Sequence, residues 1–145
     1  MTIPRVPLIL TALGALPFLW GALTTLMPEL ALSVGQKIGG RFVGPYIQLS
    51  YGQVILAFMS GILWGFAARS GAMLGYVLSV IPALWAFFMV GGGPIAAAIN
   101  LIAGFLAVLA LDAVFARHGL TPEWWLKLRI PVTIVVVACL TTGLF

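Results

Sequence analysis

The sequence predicts an all-α integral membrane protein: a compact bundle of five transmembrane helices with two short interfacial helices. Three observations lead there. Long apolar runs at residues 6–27, 47–68, 73–90, 95–116 and 130–145 take up most of the 145-residue chain. Charged residues make up only 7% of it and hydrophobic residues 63%, with a mean hydropathy of +1.20, whereas a soluble domain carries about 25% charged residues. Finally, the connections Arg69-Ser-Gly-Ala72 and Gly91-Gly-Gly-Pro94 are short, which makes consecutive helices antiparallel neighbours within one domain, residues 1–145. Inside hydrocarbon only helices and closed barrels satisfy every backbone amide, so each run is read as a helix.

In chain order, residues 6–27 follow Arg5 and resemble a secretory signal, but the run is long, contains Pro17 and has no clear small-x-small cleavage site. It is read as the first span. Residues 28–45 form an external loop in which Glu29, Ser33, Gln36 and Lys37 recur at helical spacing, opposite Leu30, Ala31, Val34 and Ile38. That pattern suits a short helix lying flat at the interface, stopped by Gly39 and Gly40. Residues 47–68, 73–90 and 95–116 have ordinary spanning lengths, about 17–25 residues. The last run is shorter, 16 residues from Ile130. A helix beginning near Leu126, with Lys127 and Arg129 reaching back to the headgroups, makes up the difference. A second interfacial helix is expected over residues 121–128, with Thr121 as cap, Pro122 in the first turn and Glu123 at the positive end of the dipole. Trp124 and Trp125 then serve as interfacial anchors. Pro17-Phe-Leu-Trp20 is echoed by Pro82-Ala-Leu-Trp85, a weak internal repeat whose prolines are expected to kink both helices.

The net charge of +4 does not point to nucleic acid, because the basic residues lie between apolar runs, where they set topology and meet anionic lipid. Arg5, Arg69, Arg117, Lys127 and Arg129 fall on one side of the five-span map and Lys37 and Arg41 on the other. The N-terminus is therefore expected in the cytoplasm of a bacterial inner membrane and the C-terminus in the periplasm. Cys139, the sole cysteine, has no partner for a disulfide and lies in the last run, where it packs as a small apolar residue.

Polar groups at membrane depth are the functional suspects. Residues 47–68 carry the richest set, with Tyr51 nearby and Gln53, Ala57, Ser60 and Trp64 forming a stripe. One reading is a polar-lined cavity and the other is interhelical hydrogen bonding. Gly61 and Gly65 form a small-xxx-small pair on which another helix can approach closely. Asn100 lies between Ala96 and Gly104 on a second close-packing face, with Gln53 as its candidate hydrogen-bond partner. Asp112 is the single carboxylate inside a run, and Arg69, Arg117 and Arg129 on the same side are its candidate partners; an ion pair and a proton relay both stand as readings. His118, the only histidine, lies in a connection, which argues against a bis-histidine haem. Neither a Ser–His–Asp set nor a phosphate-binding lysine motif occurs. No catalytic, metal or cofactor site is expected, though a bound lipid or quinone fits the apolar interior.

The run Tyr51-Gly-Gln-Val-Ile-Leu-Ala-Phe-Met-Ser-Gly-Ile-Leu-Trp-Gly65, the later Asp112-Ala-Val-Phe-Ala-Arg-His-Gly-Leu-Thr-Pro-Glu-Trp-Trp-Leu-Lys-Leu-Arg-Ile-Pro-Val-Thr133 and the opening Ile3-Pro-Arg-Val-Pro7 together resemble the transmembrane-protein-69-like family of unknown function (DUF 3429). The chain departs from that family in having Leu63 where a histidine typically precedes the Trp-Gly pair. The resemblance implies a proteobacterial inner-membrane protein, with mitochondrial relatives, and assigns no activity. The expected function is a non-catalytic accessory or assembly subunit of a larger energy-transducing membrane complex, respiratory or photosynthetic. The alternative is a small transporter or binding protein for a quinone, lipid or small solute.

Overall fold

A computed structural model describes residues 2–145. The described residues form six α-helices: α1 Arg5–Leu26, α2 Pro28–Ile38, α3 Tyr46–Ser70, α4 Met73–Met89, α5 Pro94–Arg117 and α6 Trp125–Thr141, with 3-10 turns at Gly40–Phe42 and Thr142–Leu144. No strand occurs among the described residues. Among the described residues, four segments are long and apolar enough to cross a membrane: Arg5–Leu26, Tyr46–Ser70, Pro94–Arg117 and Trp125–Leu144. Helix α4 is apolar but has only 17 residues, about 26 Å at 1.5 Å per residue.

Contacts along the helices give their directions. Gly75 of α4 lies against Ala67 of α3, Ala83 N–H donates to Ser60 Oγ, and the Gln53 amide reaches the carbonyls of Ala86 and Val90. The two helices are therefore an antiparallel hairpin, turned by Gly71 in the left-handed region (φ 70°). On α5, Leu101 meets Gly52 and Gly104 meets Leu56, while Phe115 clusters with Leu63 and Ala67. Helices α3 and α5 thus run parallel, and α4 carries the chain back between them. Helix α1 is antiparallel to α3, since Phe18 packs edge-on to Tyr51 (5.3 Å) and Gly21 abuts Gln48. Helix α6 meets α5 through Trp125 and Arg129 on Asp112, and its other end reaches the level of α1 through Gln48, whose amide bonds the carbonyls of both Phe18 and Cys139 at 3.0 Å.

The core is a stack of Phe18, Leu56, Leu101, Phe105, Val108 and Leu140, each nearly or fully buried. Leucines, isoleucines, valines and phenylalanines on the outer faces stay exposed, among them Val54, Leu74, Phe87, Phe88 and Ile134. In water so much exposed apolar surface would aggregate. In a bilayer it is the solvated face.

Helix α2 forms where the sequence places an interfacial helix. Glu29 stands in its first turn and Lys37 in its last, each favourable to the helix dipole, and Gly39 at φ 105° ends it. Residues 121–128, by contrast, are not a separate second helix. Helix α6 already begins at Trp125 and runs without interruption through Pro131 to Thr141. Trp125 and Leu128 are buried against the bundle, and continuing one helix satisfies the backbone at no extra cost.

Candidate functional site

Two buried polar clusters and one cavity hold nearly all the chemistry of the bundle. The first cluster centres on Asp112, which has no exposed surface. Helix α5 carries it one turn from its end, and the first turn of α6 supplies both donors. Trp125 Nε1 donates to Asp112 Oδ1 at 2.8 Å, and Arg129 Nε donates to Oδ2 at 2.9 Å. Positions 125 and 129 are one turn apart, so they present side chains on one face of α6. Placing the carboxylate at the start of α6 also sets its charge against the positive end of that helix's dipole. Of the three arginines expected near Asp112, the ion pair thus uses Arg129; Arg69 and Arg117 are exposed at helix ends. Trp125 is not the anchor at the interface that its sequence position suggests. A buried carboxylate needs a donor for each oxygen, and the indole N–H provides one. Trp124, half-buried, packs edge-on to it at 6.0 Å.

The second cluster closes the short helix α4. The last carbonyls of any helix lack intrahelical partners, and inside lipid each is costly. Gln53 Nε2 donates to Ala86 O and Val90 O, both at 3.1 Å, and Asn100 Nδ2 donates to Met89 O at 2.7 Å. Gln53 and Asn100 do not bond each other; both serve the end of α4 instead. Ser60 accepts the Ala83 N–H at 2.8 Å, immediately after Pro82, where a proline perturbs the helical ladder. Trp85 Nε1 donates to Asn100 O at 2.7 Å. It can reach because Gly104, one turn on, has no side chain; a Cβ there would press on Leu56 and Trp85.

The residue stripe of α3 is therefore divided. Gln53 and Ser60 face α4, whereas Ala57 and Trp64 are exposed, with Trp64 edge-on to Tyr76 at 4.8 Å. The stripe does not form one wall of a polar cavity. Gln53 borders a shallow recess of about 250 Å³ beside Gly91–Gly93. Gly61 and Gly65 have nothing within 4 Å of where a Cβ would stand, so this small-residue face meets no helix of its own chain.

The larger cavity, about 460 Å³, lies between the N-terminal half of α1, the middle of α3 and α6, with Phe105 of α5 behind it. Its walls are Phe18, Ile55, Met59, Phe105 and Val136, and its polar members are Thr11, Tyr51, Arg129 and Thr133. Thr133 had no distinguishing mark in the sequence beyond its spacing, one turn after Arg129 within an apolar run.

No solved structure matches this chain. A family model described as a protein of unknown function, DUF3429, matches residues 3–145, nearly the full length. The chain belongs to the DUF3429 family.

Proposed function

We propose that this chain is a five-crossing bundle that serves as a non-catalytic accessory or assembly subunit of a larger energy-transducing membrane complex, docking on an apolar transmembrane helix of that complex. One observation carries the docking reading: the open Gly61–Gly65 face of α3, a small-xxx-small surface with no neighbour within the chain. Because nothing touches these positions, leucines there cost the isolated bundle little, and replacing glycine in a helix favours the helix by up to ~1 kcal/mol each. The double variant Gly61→Leu/Gly65→Leu is expected to fold with wild-type thermal stability and to lose co-purification with a larger complex in mild detergent. Recovery of the wild-type protein alone, or equal co-purification of the variant, would sink this reading.

The crossing number rests on chain direction. Helices α3 and α5 are parallel and each long enough to span, which supports reading the apolar helix α4 between them as the return crossing. Its deficit against a hydrocarbon layer of ~30 Å is met by the side-chain amides that close its carbonyls and by the Gly91–Gly93 link. In this arrangement Arg5, Arg69, Arg117 and Lys127 gather at one end of the bundle and Lys37 and Arg41 at the other. Arg129 leaves the count, being buried on Asp112. Four against two still favours the first end in the cytoplasm of a bacterial inner membrane. Reporter fusions should therefore find the N-terminus cytoplasmic and the C-terminus periplasmic, and matching locations for the two termini would overturn the odd number of crossings.

A further inference from the structure

Among the described residues, the buried hydroxyls are bonded with one exception. Thr24 donates to Trp20 O, Ser79 donates to Tyr76 O and Ser60 accepts from Ala83. Thr133, 2% exposed, has no partner for its Oγ1. One turn away Arg129, 8% exposed, spends its Nε on Asp112 but leaves Nη2 without a partner. An unmade hydrogen bond on a buried group costs about 1–3 kcal/mol, and two such groups stand on one face of α6. Both residues line the 460 Å³ cavity, whose volume falls within the range of about 300–1,000 Å³ usual for small-molecule sites. Apart from Thr11 on α1 and Tyr51 on α3 its other walls are mostly apolar, and the Tyr51 hydroxyl makes no hydrogen bond among the described residues. The rim is formed by Leu10 on α1 and by Val54 and Phe58 on α3, each more than half exposed. The cleft therefore opens sideways between α1 and α3, toward the lipid.

We propose that this cleft binds one neutral, lipid-soluble molecule whose carbonyl oxygen accepts hydrogen bonds from Arg129 Nη2 and Thr133 Oγ1, with its apolar tail lying between α1 and α3. Charge selects the class. Asp112 already balances the Arg129 charge, so a carboxylate or phosphate here would add an uncompensated buried anion, which is costly. A neutral carbonyl satisfies the open donors without that cost. Two membrane sources carry such a group, an isoprenoid-type quinone and an acyl-ester lipid. The proposal rests on the cavity and its open donors rather than on the docking face, although Gly61 and Gly65 continue the α3 stripe of Val54 and Phe58 at i+7 spacing.

Purified, delipidated protein in nanodiscs can be titrated with decylubiquinone, dioctanoylglycerol and octanoate. Trp125 lines the cavity, so a quinone bound there is expected to quench tryptophan fluorescence saturably, and dioctanoylglycerol to bind without quenching and to compete for the site. Whichever neutral probe binds more tightly identifies the source. Thr133→Val keeps the side-chain shape and removes one donor; it is expected to weaken binding about fivefold, the equivalent of ~1 kcal/mol. Gly14→Leu extends a side chain from α1 into the cleft and is expected to abolish binding while the thermal transition stays near wild type. Saturable binding of neither neutral probe, tighter binding of octanoate, or wild-type affinity in both variants would each overturn the proposal.

Discussion

Asp112→Ala is expected to destabilise the bundle by about 3–5 kcal/mol, the cost of leaving a buried charge without its counter-ion. The substitution removes the acceptor for both Arg129 Nε and Trp125 Nε1, two donors in the first turn of α6. Neither has water to turn to, since Asp112 is fully buried and Arg129 nearly so. The guanidinium has one escape: it can swing toward the headgroups, as arginines near helix ends do. That motion would pull Trp125 and the start of α6 away from α5, so the loss appears either as reduced stability or as an opened α5–α6 interface. The pair itself need not be stabilising. Replacing both members with apolar residues of similar size, Asp112→Leu with Arg129→Met, should restore most of the loss. Denaturant titration in detergent micelles across the two single variants and the double variant measures this. A single Asp112→Ala variant within 1 kcal/mol of wild type would show that the contact holds nothing together. Asp112→Asn refines the test, because its amide oxygen can still accept from Trp125 while the charge on Arg129 goes unbalanced.

The Asp112 cluster also shows where the sequence was readable and where it was not. An apolar run with a single carboxylate near its end needs a cation close by, and three arginines on the same side were identifiable from spacing alone. Which one closes the pair depends on where α6 begins, and that boundary is invisible to hydropathy because Trp125 and Leu126 read equally well as an interfacial turn. A helix from near Leu126 already carries Arg129, but as a side chain reaching back to the headgroups; starting α6 at Trp125 sets it on Asp112 and turns a topology signal into a core residue. The amides of Gln53 and Asn100 were visible as polar intrusions, but a periodicity plot treats them as lining residues. Their work on Ala86, Met89 and Val90 follows only from α4 ending at Met89. The four long apolar helices, the α3–α4 hairpin and the glycine stop after α2 are local properties of the chain, so they were legible. The cavity is not local. It is walled by residues of α1, α3, α5 and α6, and these helices have to be placed before Thr133 can be seen to lack a partner.

A second large effect is expected at a residue that carries no side chain at all. Gly44 lies just before α3, and a Cβ built on it would overlap the Gly21 carbonyl and the Thr25 backbone of α1. These are backbone atoms inside a helix, so they cannot rotate aside as the tip of a leucine can. The same residue donates its N–H to Thr24 Oγ1 at 2.6 Å. Gly44→Ala therefore forces either the α2–α3 connection or the end of α1 to move, and the hydrogen bond goes with it. Overpacking typically costs about 1–3 kcal/mol and the lost bond about 1 kcal/mol, so a combined loss of about 2–4 kcal/mol is expected. The displacement should also be felt one turn further into the bundle, where Gly21 gives room to Gln48 and Gln48 joins α1 to α6 through Phe18 and Cys139. Gly40→Ala is the matched control, because no atom lies within 4 Å of its Cβ position. Thermal unfolding in detergent should separate the two alanine variants clearly. Equal transition temperatures would mean that the connection is free to shift and that the close approach of Gly44 to α1 does not hold the first two spanning helices together.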